Sequence, residues 1–244
     1  MTTTVLLALI FLVALVYASV GHGGASGYLA AMSLLAYDPS RMSSAALVLN
    51  LFVAGTACWT FWQAGHGSLR LLAPFAVTSV PAAFLGGRMR IPSHEYGWLL
   101  AFALLAAALR LLMPVRADDK PVRAPSWIAA GAVGGAIGWI SGGVGVGGGI
   151  FLSPLMVLLH WADVKQTAAI SSAFILVNSL SGLTARASVG TLHLERLLPS
   201  VIAALAGGLI GAHFGAWRAS SNGLRRLLAM VLAIAAAKQV VSHG

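Results

Sequence analysis

Acidic side chains are scarce in this sequence: six Asp and Glu in 244 residues, against fifteen Lys and Arg. Asp38, Glu95, Asp118, Asp119, Asp163 and Glu195 all lie between apolar runs or at their ends, and none lies within one. Cation carriers and proton pumps place carboxylates inside the membrane, where the energetic cost of each marks a function. Their absence argues against a cationic substrate and against a carboxylate proton relay. A single cysteine, Cys58, sits in an apolar stretch, so no intrachain disulfide can form and the residue reads as packing. Clustered basic residues are missing too. The cations are scattered through short polar stretches, without the basic face or tail that a nucleic-acid partner requires.

Apolar residues dominate what remains. With 59% hydrophobic and 9% charged side chains and a mean hydropathy of +0.88, the chain falls outside the range of soluble domains and belongs in a lipid bilayer. A hydrocarbon core about 30 Å thick needs roughly 20 helical residues per crossing. Segments 43–62, 68–87, 95–113, 166–185, 197–216 and 223–240 meet that length. If these spans alternate, Arg70, Arg110, Arg116, Lys120, Arg123, Lys165, Arg218, Arg225 and Arg226 share one side, and Arg41, Arg88, Arg90, Arg186, Arg196 and Lys238 the other. The larger group is expected on the cytoplasmic side, with both termini outside. The N-terminal run, "MTTTVLLALIFLVALVYASVG", lacks the positive n-region of a signal peptide and is read as structure.

The sequence is written twice. The only sustained polar, proline-bearing stretch, "PVRADDKPVRAPS" at 114–126, separates a first repeat over 1–113 from a second over 127–244. A shift of 124 positions places Gly21, Gly23 and Gly24 on Gly145, Gly147 and Gly148, Met32 on Met156, Tyr37 on Trp161 and Arg41 on Lys165. After a four-residue insertion Asn50 falls on Asn178 and Thr56 on Thr184, and further on Pro74 falls on Pro199 and Gly86 on Gly211. Each half is a hydrophobic piece, a glycine knot, a second piece and three full spans. Three or five crossings per half both invert the second copy. The expected fold is therefore an all-α integral membrane protein of two inverted repeats, each with a glycine-interrupted helix pair, re-entrant or discontinuous, and three transmembrane helices.

Around the second knot the pieces 126–140 and 150–161 are short, about 22 Å and about 18 Å of helix, so neither is expected to span alone. The knot is expected to lie within the protein, where backbone leaves helical geometry only if packed or lining a hydrated cavity. Glycine allows the required turns, and Pro154 suits the first turn of a new helix. A helix that starts there presents free N–H groups and the positive end of its dipole, which attract anions. Two inverted copies aim two such ends, near Gly23, Gly24, Ala25 and Ser26 and near Gly147, Gly148, Gly149 and Ile150, at one point. A small anionic substrate is the implied partner. The competing reading is that the glycines only let helices pack closely.

Asn50 and Asn178 lie at matched mid-span positions, and Ser43, Ser44, Ser171 and Ser172 near matched span starts. All are candidates to complete the site alongside Gly21, Gly145 and Pro154. His22, beside the first knot, can carry a proton at physiological pH, although Val146 occupies the matching place. His213 reads as a packed histidine. The pattern "GASG" at 24–27 matches the GxSG of rhomboid-like intramembrane serine proteases with Ser26 as nucleophile, which would need a histidine from another span. Gly143, Gly145 and Gly148 match GxGxxG, but no strand precedes them to build a dinucleotide site, so no cofactor and no metal is expected.

The two halves, the early "GHGGASG", the second "GGVGVGGGIFLSPLM" and the charged linker together resemble the TauE/SafE sulfite exporters, the toluenesulfonate uptake permease family. The likeness covers essentially the whole chain. It is most specific at the second knot with Pro154 and weaker at the first, where Ala25 replaces a glycine and Ala30 stands in place of the proline. The resemblance implies a multi-pass permease of the bacterial inner membrane that moves sulfite, thiosulfate or organosulfonates, and the two inverted halves are expected to work by alternating access around the anion site. Coupling to protons and assembly into a homo-oligomer are left open.

Overall fold

A computed structural model describes residues 2–35, 39–89, 122–192 and 197–243. The expected span 95–113, most of the 114–126 linker, Tyr37, Asp38, Arg90, Glu95, Arg110, Arg116, Asp118, Asp119, Lys120, Glu195 and Arg196 lie outside the described residues. In chain order the helices are α1 (Thr2–Ser19), α2 (Ala25–Leu34), α3 (Pro39–Gln63), α4 (Leu69–Arg88), α5 (Trp127–Val144), α6 (Gly149–Leu158), α7 (Val164–Ser188), α8 (Leu198–His213, continued by a π-turn over Phe214–Arg218) and α9 (Ser221–His243). No strand occurs among the described residues. Five helices, α3, α4, α5, α7 and α8, are long and apolar enough to cross a membrane. The C-terminal helix α9 covers the expected span 223–240 but is not one of those five.

Side-chain caps fix where several helices start. Ser68 accepts from the Leu71 N–H, Ser126 from Ala129 and Asp163 from Gln166. The α7 span forms the centre, with 72% of it buried in the protein, whereas only 33% of α5 is buried. The outward faces are apolar, as at Trp59, Val77, Ile128 and Leu198, which suits a hydrocarbon surrounding. Down the middle, α3 and α7 run antiparallel. Ser43 meets Arg186, Asn50 meets Ser179, and the Trp62 indole donates to the Ala169 carbonyl.

Close packing explains most of the glycines. Gly134, Gly138 and Gly142 of α5, one per turn, rest on the backbone of Phe75, Ser79 and Ala83 of α4. On the other side Gly207 and Gly211 of α8, and Gly215 in its π-turn, rest in the same way on Phe11, Leu15 and Ser19 of α1. A Cβ at any of these positions would overlap backbone, so the small-residue stripe sets the interhelical distance. The pairings exchange when the halves are exchanged: α1 with α8 matches α5 with α4, and α3 with α8 matches α7 with α4.

Two expectations about the second knot need correction. The helix α5 runs 18 residues, through Gly142 and Gly143 to Val144, about 27 Å, and so is long enough to cross. Gly142 is used to approach Ala83, not to break the helix, and the break begins at Gly145. Pro154 is not in the first turn of α6 but is its sixth residue, so the Ile150 carbonyl has no N–H to accept from it.

Candidate functional site

The two knots share a left-handed glycine at each end and differ between them, where Gly147 is left-handed and its mate Gly23 is not. Gly21 and Gly145 take φ of +76° and +81°, and Gly24 and Gly148 take +91° and +83°. Each helix end closes on itself: the His22 N–H donates to the Tyr17 carbonyl, and at the matched positions the Val146 N–H donates to Ser141. The following helices begin at Ala25 and Gly149. Gly148, the cap of α6, offers no side chain to its first N–H groups, which leaves the helix N-terminus with its donors and positive dipole end.

The knots meet at Asn50, which is fully buried at the middle of α3. Its amide nitrogen donates to the Val146 carbonyl of the second knot at 3.2 Å and lies 3.5 Å from the Ser179 hydroxyl. The amide also occupies the space where a side chain on Gly23 of the first knot would stand. Ile175 of α7 touches both, since a Cβ at Gly23 or at Gly147 would lie 3.1 or 3.0 Å from its Cγ2. Gly149, at the start of α6, also abuts Ile175.

Hydroxyls elsewhere in the helices are satisfied locally. Thr56, Thr60, Ser141, Ser172 and Thr184 each donate to a carbonyl three or four residues back. Against that background the buried polar atoms without a partner in the protein stand out: His22 Nε2, Tyr28 Oη, Asn50 Oδ1, Thr167 Oγ1 and both amide atoms of Asn178. Buried polar groups are nearly always paired, so such atoms call for an explanation. Four of these residues surround the first knot. His22 belongs to it, Tyr28 packs on Gly24, Asn50 on Gly23, and Thr167 precedes Ala168, whose backbone touches Gly21. The His22 ring is held by Nδ1 at 3.1 Å from the Val20 carbonyl and edge-on by Tyr17. Its Nε2 has no hydrogen-bond partner in the protein.

The remaining sequence candidates separate into those at this junction and those beside it. Ala25 is buried at the start of α2, and the Ser26 hydroxyl lies 3.0 Å from Tyr17 Oη. Ile150 is buried against Tyr17, Val20 and Leu224, which ties the start of α6 to the end of α1. Gly148 faces Ile137, Ser141 and Phe174, away from Asn50. Ser171 accepts from Ser153 at 2.7 Å and ties α6 to α7, Ser172 lies beside Cys58, and Pro154 is buried within α6. Asn178 is buried one position before Ser179. His213 is exposed at the end of α8, contrary to the packed histidine expected from sequence, because the inner face there is taken by Gly211 and Ala212.

Three further residues have contacts that no sequence pattern marks: Ile175 and Ser179, one turn apart on α7 at the junction, and Arg186, beside Gly145 at the edge of the second knot. Arg186 is buried, with Nη2 donating to Ser43 at 2.8 Å and Nη1 3.3 Å from the Gly142 carbonyl. A cation near the end of a span was legible; its inward direction was not.

Residues 6–239 match the family described as sulfite exporter TauE/SafE. The chain belongs to that family. A TauE/SafE member is a multi-pass membrane transporter rather than an enzyme, so the GxSG pattern at Ser26 is not a protease signature here. The chain is 36% identical over 233 residues to a probable membrane transporter protein, y4hK, of Sinorhizobium fredii, covering 93% of this chain and 94% of that one. No solved structure matches.

Proposed function

We propose that this transporter is a permease of the bacterial inner membrane that moves small sulfur-containing anions, sulfite, thiosulfate or organosulfonates, by alternating access around the glycine knots. The observation that carries the reading is the convergence of both knots on Asn50. In this reading the two interrupted helices turn their N–H ends toward that buried place, as such ends hold anions in carriers built from repeats. Nearby polar atoms without partners, Asn50 Oδ1 and His22 Nε2, give that place a polar lining. The sulfur chemistry of the substrate comes from the family likeness.

Alternating access needs two copies that exchange roles. In support, the matched helices α3 and α7 run antiparallel, the matched knots share left-handed glycines, and the helix pairings exchange with the halves. In this reading the halves are inverted copies that rock about the junction. In the same reading proton coupling falls to His22, the titratable group of the first knot, whose buried Nε2 has no partner in the protein.

Thermal shift of the detergent-purified protein with sulfite, thiosulfate, toluenesulfonate, sulfate and acetate tests the reading. Stabilisation by the sulfur anions, with uptake of the same anions into proteoliposomes, is expected. Equal indifference to all five would overturn it.

A further inference from the structure

The end of α5 carries a feature that its repeat mate lacks. Arg186 is 8% exposed. Its Nη1 points at the carbonyls of Gly142 and Gly182 at 3.3 and 3.4 Å, and its Nη2 bonds Ser43 at 2.8 Å. No carboxylate pairs with it among the described residues. The one described acid, Asp163, caps the opposite end of α7, about 35 Å away along the helix. A guanidinium has five N–H groups in a planar fork, so the second N–H of Nη2 and the Nε–H remain outside these bonds. Nη2 lies 3.0 Å from where a Cβ on Gly145 would be, at the edge of the second knot.

Capping the carbonyl end of α5 is the simplest structural role for this charge. The first knot argues against that as a sufficient reason. Ser43 matches Ser171, Ser44 matches Ser172, and on the same register Arg186 matches Cys58. Cys58 rests against Ser172 and packs among apolar residues of α4, α5 and α7, so the matched position carries no charge. The end of α1 nonetheless closes with the matching backbone hydrogen bond and with left-handed glycines at the matching ends, Gly21 and Gly24. A buried guanidinium with no carboxylate partner among the described residues is costly, and inside membrane proteins such a charge marks a substrate path.

We infer that Arg186 is the charge-recognition residue of the transporter, and that its open N–H edge engages a substrate oxyanion that presents two oxygens side by side beside Gly145. This rests on the anion-permease reading above and adds to it the residue that selects the charge, on one side of the pseudo-symmetric pair only. A planar fork suits such an oxyanion and an ammonium does not.

The test compares wild-type protein with R186Q, R186K and the repeat-mate control C58S, using thermal shift and uptake with thiosulfate and toluenesulfonate. R186Q is expected to bind roughly tenfold more weakly or worse, with R186K between it and wild type, while C58S binds as wild type. Anion binding by R186Q equal to wild type would reduce Arg186 to a helix cap and leave the permease reading intact. Wild-type protein that responds to no anion would end both. If the Arg186 variants fail to insert, thiosulfate must slow 2,3-butanedione modification of Arg186 in wild-type protein in borate buffer, read by peptide mass. Equal modification with and without thiosulfate, including none in either, overturns the inference, because a guanidinium that an anion reaches from water is open to a reagent of similar size.

Discussion

Asn50 of α3 and Gly147 of the second knot are in direct contact: a Cβ on the glycine would stand 2.8 Å from the amide nitrogen, with Ser179 Oγ equally close. Gly147 also has a φ of +76°, a conformation that costs a residue with a side chain about 1–2 kcal/mol. Gly147→Val therefore meets both strain and a filled junction. Uptake by proteoliposomes should be lost while the protein still inserts, as judged by yield in the membrane fraction. Full transport by this variant would mean that the junction is a packing device.

Asn50→Asp changes one atom and one charge at the place where both knots meet. A carboxylate there loses the donor to the Val146 carbonyl and repels an anion. Uptake of thiosulfate should fall about tenfold or more, roughly 1.4 kcal/mol or greater in transition-state terms. Asn50→Ala, which removes the donor without adding charge, should be impaired less than Asn50→Asp. The reverse order would argue against a negatively charged substrate.

Much of this was legible in the sequence, for a physical reason: helix length in a bilayer is dictated by hydrocarbon thickness, so apolar runs mark spans directly. The expected 43–62, 68–87, 166–185 and 197–216 coincide with helices over Pro39–Gln63, Leu69–Arg88, Val164–Ser188 and Leu198–Arg218. The glycine knots, too, were visible as paired clusters. Sequence cannot separate a glycine that breaks a helix from one that lets two helices touch, which is why the expected piece 126–140 stops short of Val144 and leaves Gly142 to the knot. The direction of Arg186 depends on the register of α7 against α3, a tertiary fact with no local signature.

The distinction between the two kinds of glycine is itself testable. Gly211 lies on the Leu15 backbone, where no side chain fits, and Gly211→Leu must push α8 away from α1. Overpacking of this kind costs about 1–3 kcal/mol. Gly65 has a φ of +83° in a turn, with nothing within 4 Å of a built Cβ, so Gly65→Ala meets only the conformational strain, about 1 kcal/mol. The apparent Tm in detergent should drop clearly further for Gly211→Leu. Equal losses would show that the α1–α8 contact is looser than its geometry.

His22 offers the sharpest separation of coupling from binding. Its ring lies at the junction but is fixed through Nδ1 to its own chain at Val20, so His22→Gln removes the titratable group and leaves the knot backbone to close as before through Tyr17. If His22 carries the coupled proton, an acid-outside gradient should accelerate anion uptake by wild-type proteoliposomes, and a protonophore should abolish that acceleration. In His22→Gln the gradient should have no effect, while anion exchange without a gradient continues. A variant that still responds to the gradient would move the proton path elsewhere, and a variant that loses exchange as well would make His22 part of the binding surface instead.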